Sequence, residues 1–212
     1  MTLEGTNTYV VGDTPAYVID PGPANDGHVA EIQAAAAARG GLAGVLLTHS
    51  HGDHAEAAAL LDAPLVEGPF QVVPTPGHAE DHVCFVVERV CFTGDLILGT
   101  GSTIVPPGGG SLAAYLDSLA RIGELDLELL CPGHGPYVTD PKSKIEEYVS
   151  HRLERERKLV AALEAGERSR ARLLDLAWDD IPAEMRPMAA IAMQAHLEKL
   201  EAEDRLPDGL RA

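Results

Sequence analysis

The first 140 residues alternate between short apolar runs and longer helical patterns. Thr8–Val11 and Ala16–Asp20 read as two strands joined by the turn Gly12-Asp13-Thr14-Pro15, and Asp20-Pro21-Gly22-Pro23 then breaks the chain. His28–Arg39 predicts a helix, because Ala34–Ala38 are strong helix formers and Gly40-Gly41 supplies the stop. Val45–Thr48 is an apolar run fit for a buried strand, Ala55–Leu61 a short helix, and Val66 with Phe70–Val73 suggests a hairpin. Val83–Val87 and Val90–Thr93 predict a second hairpin about Glu88-Arg89. Beyond the loop Pro106–Gly110, Ser111 is placed to cap a helix over Leu112–Ile122, and Leu127–Cys131 reads as a strand. Strands and helices in alternation predict an α/β layered domain.

The pattern changes near Pro141. Ser143–Glu164 reads as one long charged helix, and Ser169–Ala177 and Ala183–Glu203 as two more, broken around Pro182. The tail Asp204–Pro207 has room for a short wing. We therefore expect one domain over 1–141 and a small helical one over 142–212, the latter with Trp178, Met185, Met188 and Met193 in its core. At 212 residues the chain is long enough to bury a core without crosslinks, and with 4% aromatics that core must be mainly aliphatic. Cys84, Cys91 and Cys131 lie in β-rich apolar runs and are expected to be buried, not bridged, which points to a reducing compartment. Nothing in Met1–Val10 resembles a signal peptide, and no apolar run reaches the ~20 residues of a membrane span, so a cytoplasmic, non-membrane protein is expected. The net charge of −17 is uneven: residues 1–150 hold five basic and 20 acidic side chains, leaving about −15 on the first domain. Such a surface repels polyanions unless bound metal reverses the local sign.

The chemistry concentrates in Thr48-His49-Ser50-His51-Gly52-Asp53-His54, directly after an apolar run. A buried strand anchors this loop, and alternate residues of an extended loop point the same way, so His49 and His51 can serve one metal while Asp53 and His54 turn toward a second. Imidazole and carboxylate suit zinc, and also iron or manganese. Downstream, His78, Asp95 and His134 each sit in a glycine-containing turn after a β-rich run.

H-x-H-x-D-H, G-H, G-D and G-H in this order resemble the metallo-β-lactamase-fold hydrolase superfamily, and Val18-Ile19-Asp20-Pro21-Gly22 is similar to its early I-D-x-G turn. The resemblance implies an αβ/βα sandwich of two facing sheets flanked by helices. It also implies that His49, His51 and His78 hold one metal, that Asp53, His54 and His134 hold the other, that Asp95 bridges them, and that Asp20 fixes a ligand histidine by hydrogen bond. Gly5–Tyr9, Thr75–Val83, Gly94–Thr103 and Tyr148–Arg157 resemble the branch of lactamase-like endoribonucleases and polyketide acyl-carrier thioesterases, whose C-terminal domain is winged-helix-like. Two departures stand out. Only 23 residues separate His54 from His78, so a wall of the substrate cleft is expected to be missing. The chain begins at the Gly5–Thr8 segment, where relatives carry a further N-terminal strand; either the start is genuinely short or an upstream start is missed, and an unprotected sheet edge that favours homo-oligomers is expected.

The expected function is hydrolysis by a hydroxide bridging two divalent metals, with Asp53 orienting the nucleophile. His82, four residues after His78, either reaches the substrate oxygen or serves as a structural hydrogen-bonding group. His51 stands where flavo-diiron oxidoreductases carry Glu, and Asp95 where the commonest zinc β-lactamases carry Cys; a single-iron dioxygenase of this fold uses a subset of the same ligands. A small ester or thioester is the favoured substrate and single-stranded RNA the alternative. The acidic first domain argues against RNA, and the basic cluster Arg152, Arg155, Arg157 and Lys158 is interleaved with Glu154 and Glu156. A regulatory module that binds nucleic acid without catalysis is the third reading. Gly99–Gly101 with Ser102 and Thr103 either approach the substrate or form a loop; His28, His151 and His196 are expected outside the site.

Overall fold

The computed structural model describes residues 5–207 and 210. Its strands are β1 Tyr9–Val11, β2 Ala16–Ile19, β3 Leu42–Leu46, β4 Gln71–Pro74, β5 Val83–Val87, β6 Val90–Gly94 and β7 Leu129–Pro132. Its α-helices are α1 Asp26–Ala37, α2 Gly52–Ala55, α3 Leu112–Gly123, α4 Pro141–Glu164, α5 Arg170–Ala177 and α6 Arg186–Ala202. The strands form two sheets, β1-β2-β3 and β4-β5-β6-β7, in which the β2–β3 and β6–β7 pairs are parallel and the others antiparallel.

Alternation along the strands sorts the core into layers. Ile19 and Leu46 from the first sheet meet Phe85, Phe92 and Cys131 from the second, with Phe70 between them. All three phenylalanines of the chain stand in this layer, Phe70 at 6.2 Å from Phe85 and 6.1 Å from Phe92, so the few aromatics are concentrated where the sheets meet. The neighbouring residues point outward: Val18 and Val45 pack on Val29 and Ile32 of α1, and Cys84, Val86, Cys91 and Leu130 pack on Tyr115, Leu119 and Ile122 of α3. Helix, sheet, sheet and helix thus stack in four layers, the αβ/βα sandwich.

Several elements differ in extent from the sequence reading. Helix α1 begins at Asp26, because the Asn25 side chain accepts from the N–H groups of Gly27 and His28. Strand β3 ends at Leu46, and the Thr48 N–H leaves the ladder to donate to Asp20 Oδ1 at 2.8 Å. The expected hairpin through Val66 and Phe70–Val73 is replaced by a crossover: the Val66 N–H donates to Val45 O in the first sheet, whereas β4 pairs with β5 in the second. Ser111 caps α3 as expected, accepting from the Ala114 N–H at 3.3 Å.

Helix α4 starts at Pro141, capped by Asp140, and joins two cores. Ile145 and Tyr148 pack with the second sheet and α3, while Leu159, Ala162 and Leu163 pack with Leu173, Trp178, Met193 and Leu197 in the helical C-terminal unit. Met193 and Trp178 are core residues there, but Met185 is exposed and Met188 only partly buried. The tail over 204–207 forms no strand; Arg205 folds back onto Glu156 at 2.8 Å. Among the described residues no helix is long and apolar enough to cross a membrane, and Cys84, Cys91 and Cys131 are free and buried.

One glycine offers a simple check of packing. A Cβ on Gly123, in the last turn of α3, would meet only Ile145 at 3.5 Å, an ordinary contact. Gly123→Ala is expected to stabilise the fold by about 0.5 kcal/mol through helix propensity. A lowered urea midpoint would show that this end of α3 has no room.

Candidate metal centre

Every sequence-predicted ligand sits at a strand end or in the turn beyond one. Thr48–His54 follow β3 and run into α2; His78 follows β4, Asp95 follows β6, and His134 follows β7. The parallel β6–β7 pair brings Asp95 and His134 together, since Gly133 N–H donates to Gly94 O at 2.8 Å. Gly94 is required at its position: its φ is +45°, and a Cβ would lie 2.4 Å from Thr48 Oγ1.

Ligand atoms converge in three groups, each with its atoms within 4.8 Å of one another: His49, His51 and His78; His49, His54 and Asp95; Asp53, His54 and His134. His51 Nδ1 lies 2.9 Å from His49 Nε2 and 3.0 Å from His78 Nε2. On the other side, His134 Nε2 is 3.4 Å from Asp53 Oδ2. Asp95 faces both: Oδ1 is 3.4 Å from His54 Nε2 and from His134 Nε2, and Oδ2 is 3.6 Å from His78 Nε2.

The far nitrogens of these rings are held. His54 Nδ1–H donates to Asp20 Oδ2 at 2.9 Å, His78 Nδ1–H to Ile104 O at 2.7 Å, and His134 Nδ1–H to Gly5 O at 2.8 Å. His49 Nδ1 lies 3.1 Å from Thr48 Oγ1, whose hydroxyl donates to Asp20 Oδ2 at 2.7 Å. Each of these four rings therefore presents Nε2 to the centre, the arrangement that fixes tautomer and aim in metal-binding histidines. Thr48, Ile104 O and Gly5 O were not identified from sequence. The Thr48 hydroxyl stands beside the histidine motif and was open to that reading, whereas backbone carbonyls leave no trace in a sequence.

Two of the histidines are held neutral, as ligation requires. Burial pushes His49 and His78 below the ordinary histidine range, so both are neutral at pH 7. Burial also opposes charge on His54, but the nearby Asp20 and Asp95 carboxylates outweigh it and raise its pKa to about 10, so an ion bound here would displace the Nε2 proton. Burial would raise Asp95, yet the charged His54 beside it outweighs burial and holds it well below the usual carboxylate range. His54 Nε2 and Asp95 Oδ1 are nonetheless buried without a hydrogen-bond partner. A polar atom left unpaired costs about 1–3 kcal/mol when buried, and once Nε2 is deprotonated both atoms offer lone pairs that a single cation would satisfy. The residues present thus fit a metal ion.

His82 occupies the structural of its two expected positions. It is 1% exposed; its Nδ1 lies 2.8 Å from Thr75 Oγ1 and its Nε2 accepts from the Asp95 N–H at 3.2 Å. Burial lowers its pKa to about 3. It supports Asp95 from behind and does not reach the cleft. His151 and His196 lie away from the centre, and His28 bonds Thr8 Oγ1 at 2.9 Å. A cleft of about 460 Å³ opens beside His51 and His78, lined also by Glu80, Asp81, Pro106 and Gly109.

The family model of the metallo-beta-lactamase superfamily matches residues 1–66 and 56–134, and that of the beta-lactamase associated winged helix domain matches residues 171–207. The chain belongs to the metallo-beta-lactamase superfamily. Among individual proteins it is similar to the lactamase-like protein adaB of Aspergillus niger, 36% identical over 82% of this chain and 62% of that one. It is also similar to an atrochrysone carboxyl ACP thioesterase of Aspergillus chevalieri, 34% identical over 76% of this chain and 61% of that one. The chain thus spans about three fifths of the length of these curated relatives. A beta-lactamase domain protein from Burkholderia ambifaria shares the fold over 94% of this chain and 82% of its own, with 18% identity and a TM-score of 0.77.

Proposed function

We propose that the protein is a metal-dependent hydrolase of a small ester or thioester, with two divalent ions, zinc by the chemistry of the donors, held by seven side chains. The observation that carries this reading is Asp95, whose two oxygens face different histidine groups, so that one carboxylate spans both halves of the centre. His49, His51 and His78 would hold one ion, and Asp53, His54 and His134 the other. Such a pair, when bound, supplies an electrophile for the substrate oxygen and a water whose pKa falls from 15.7 toward roughly 7. The chain does the rest. Asp53, with 30% of its side chain exposed, can orient an attacking water and, besides holding an ion, accept the proton at its other carboxylate oxygen. Asp20 and His82, both buried, hold His54 and Asp95 in place.

The surroundings favour a small substrate over RNA. Among the described residues no Lys or Arg lines the cleft beside His51, whereas Glu80 and Asp81 do. Arg39 and Arg89 are paired with Asp13 and Asp126 at 3.0 and 2.6 Å. The basic cluster of α4 is not presented to a polymer: Arg152 and Arg155 are buried, Arg157 pairs with Glu154 and Lys158 with Asp179, each at 2.6 Å. Phosphate affinity needs free cations. The thioesterase among the relatives supports the thioester reading.

The test compares wild type with His51→Ala on acyl-pantetheine thioesters, p-nitrophenyl esters and a single-stranded RNA oligomer, with metal content by elemental analysis. Two metal equivalents are expected, with thioester or ester cleavage that falls by more than about 100-fold in the variant and intact RNA. RNA cleavage lost in the variant would replace the substrate class, and wild type without bound metal would end the reading.

A further inference from the structure

We propose that the protein carries a second small-molecule site, separate from the metal centre, that takes a compact apolar carboxylate. It lies between the strap Ser102–Ile104, the middle of α4 and the start of α6, in a cavity of about 150 Å³. A cavity of about 150 Å³ is enough for a benzene ring and far too small for a nucleotide. Trp178, Ile181, Met188, Ala189 and Ala192 give it apolar walls, and the exposed Met185 stands at its rim. These two methionines, expected in the core of the helical unit, line a space instead of filling one.

Charge is placed at one side only. Arg152 and Arg155, 4% and 6% exposed, line the cavity beside His151, and among the described residues no Asp or Glu does, in a chain of net charge −17. Arg155 is neutralised by Asp180 at 2.7 Å and donates to Ala177 O at 2.8 Å. Arg152 is not neutralised in this way. It donates to Ser102 Oγ at 2.9 Å and to Thr103 O, lies 5.4 Å from the centre of the Tyr115 ring, and has a buried Nε without an acceptor. A buried guanidinium whose bonds go to a hydroxyl and a carbonyl favours an anion nearby, because charge-assisted bonds to carboxylate are about twice as strong as neutral ones. His151 reports the same field: burial and the two guanidinium groups lower its pKa. The cavity therefore suits a small hydrocarbon body with its carboxylate toward Arg152 and His151.

The site is physically distinct from the metal-side cleft. The strap runs between them: Ser102, Thr103 and Ile104 line this cavity, whereas Pro106 and Gly109 line the cleft beside His51 and His78.

Trp178 is the only tryptophan in the chain and lines the cavity, so its fluorescence reads occupancy without any assay of activity. Full-length protein is titrated with benzoate and with benzamide. Benzoate is expected to change the Trp178 signal saturably, with an affinity at least about tenfold above that of benzamide. The change is expected to persist in His51→Ala, which excludes binding at the metal centre. It is expected to vanish in Ala192→Phe, which fills the cavity; Ile181→Phe replaces it should that variant not fold. Arg152→Met is expected to reduce benzoate to the affinity of benzamide. Absence of a saturable change, equal affinity for acid and amide, or a response that survives the filling variants would each overturn the proposal.

Discussion

Exchange of Asp20 for asparagine is expected to strip the purified protein of one metal equivalent and to weaken metal binding on the His54 side by about 10–100-fold. Asp20 is 2% exposed and accepts three hydrogen bonds: Thr48 N–H on Oδ1, and Thr48 Oγ–H and His54 Nδ1–H on Oδ2. Asparagine keeps one oxygen and supplies an NH2 group. Placed at the Oδ1 position, that NH2 opposes the Thr48 N–H, donor against donor. Placed at the Oδ2 position, it opposes His54 Nδ1–H, and the ring escapes only by moving its proton to Nε2. That proton then occupies the lone pair aimed at Asp95 and His134. The Oδ2 placement strikes the His54 half directly, whereas the Oδ1 placement acts through Thr48, whose hydroxyl also holds His49. Elemental analysis after dialysis checks the prediction; two equivalents held with wild-type affinity would show that His54 does not depend on Asp20.

Gly133→Ala is expected to be nearly as damaging, although it adds one methyl group. Its Cβ would fall 2.5 Å from His54 Cε1 and 2.8 Å from Asp95 Oδ1. Neither neighbour can recoil freely, since His54 is wholly buried and tied to Asp20, and the Asp95 N–H is tied to His82. Overpacking of this kind costs about 1–3 kcal/mol, and here the strain falls on two metal-facing side chains. We expect a lower urea midpoint together with loss of bound metal. Gly123→Ala, the same change where room exists, is the control. Full metal content in Gly133→Ala would show that β7 can shift without disturbing the ligands.

Much of this was legible in the sequence because the signals are local. The period of two in β5 and β6 separates Phe85 and Phe92 from Cys84, Val86 and Cys91, and glycine turns after apolar runs mark His78, Asp95 and His134. What was not legible depends on partners far along the chain. Val66 and β4 lie five residues apart yet enter different sheets, because Val66 finds Val45 and β4 finds β5. The Glu-Arg alternation over 152–157 suggests a solvated helix face. Arg157 obeys, but Arg152 and Arg155 turn inward, because Thr103 and Ala177 lie against that side of α4. His82 is four residues from a ligand, and only its contacts with Thr75 and the Asp95 N–H show which way it faces.

The tie between His134 and Gly5, reinforced by the Asn7 side chain on Pro132 O and Gly135 O at 3.0 and 2.7 Å, has a consequence for assembly on the ribosome. His49, His51 and His78 are all synthesised within one 30-residue stretch, whereas His134 emerges 56 residues after His78 and must then close against the beginning of the chain. At about 5–20 residues per second the interval is roughly 3–11 s. An ion captured by the early trio would wait through that interval, and the later one would arrive as a clasp between the two ends of the domain.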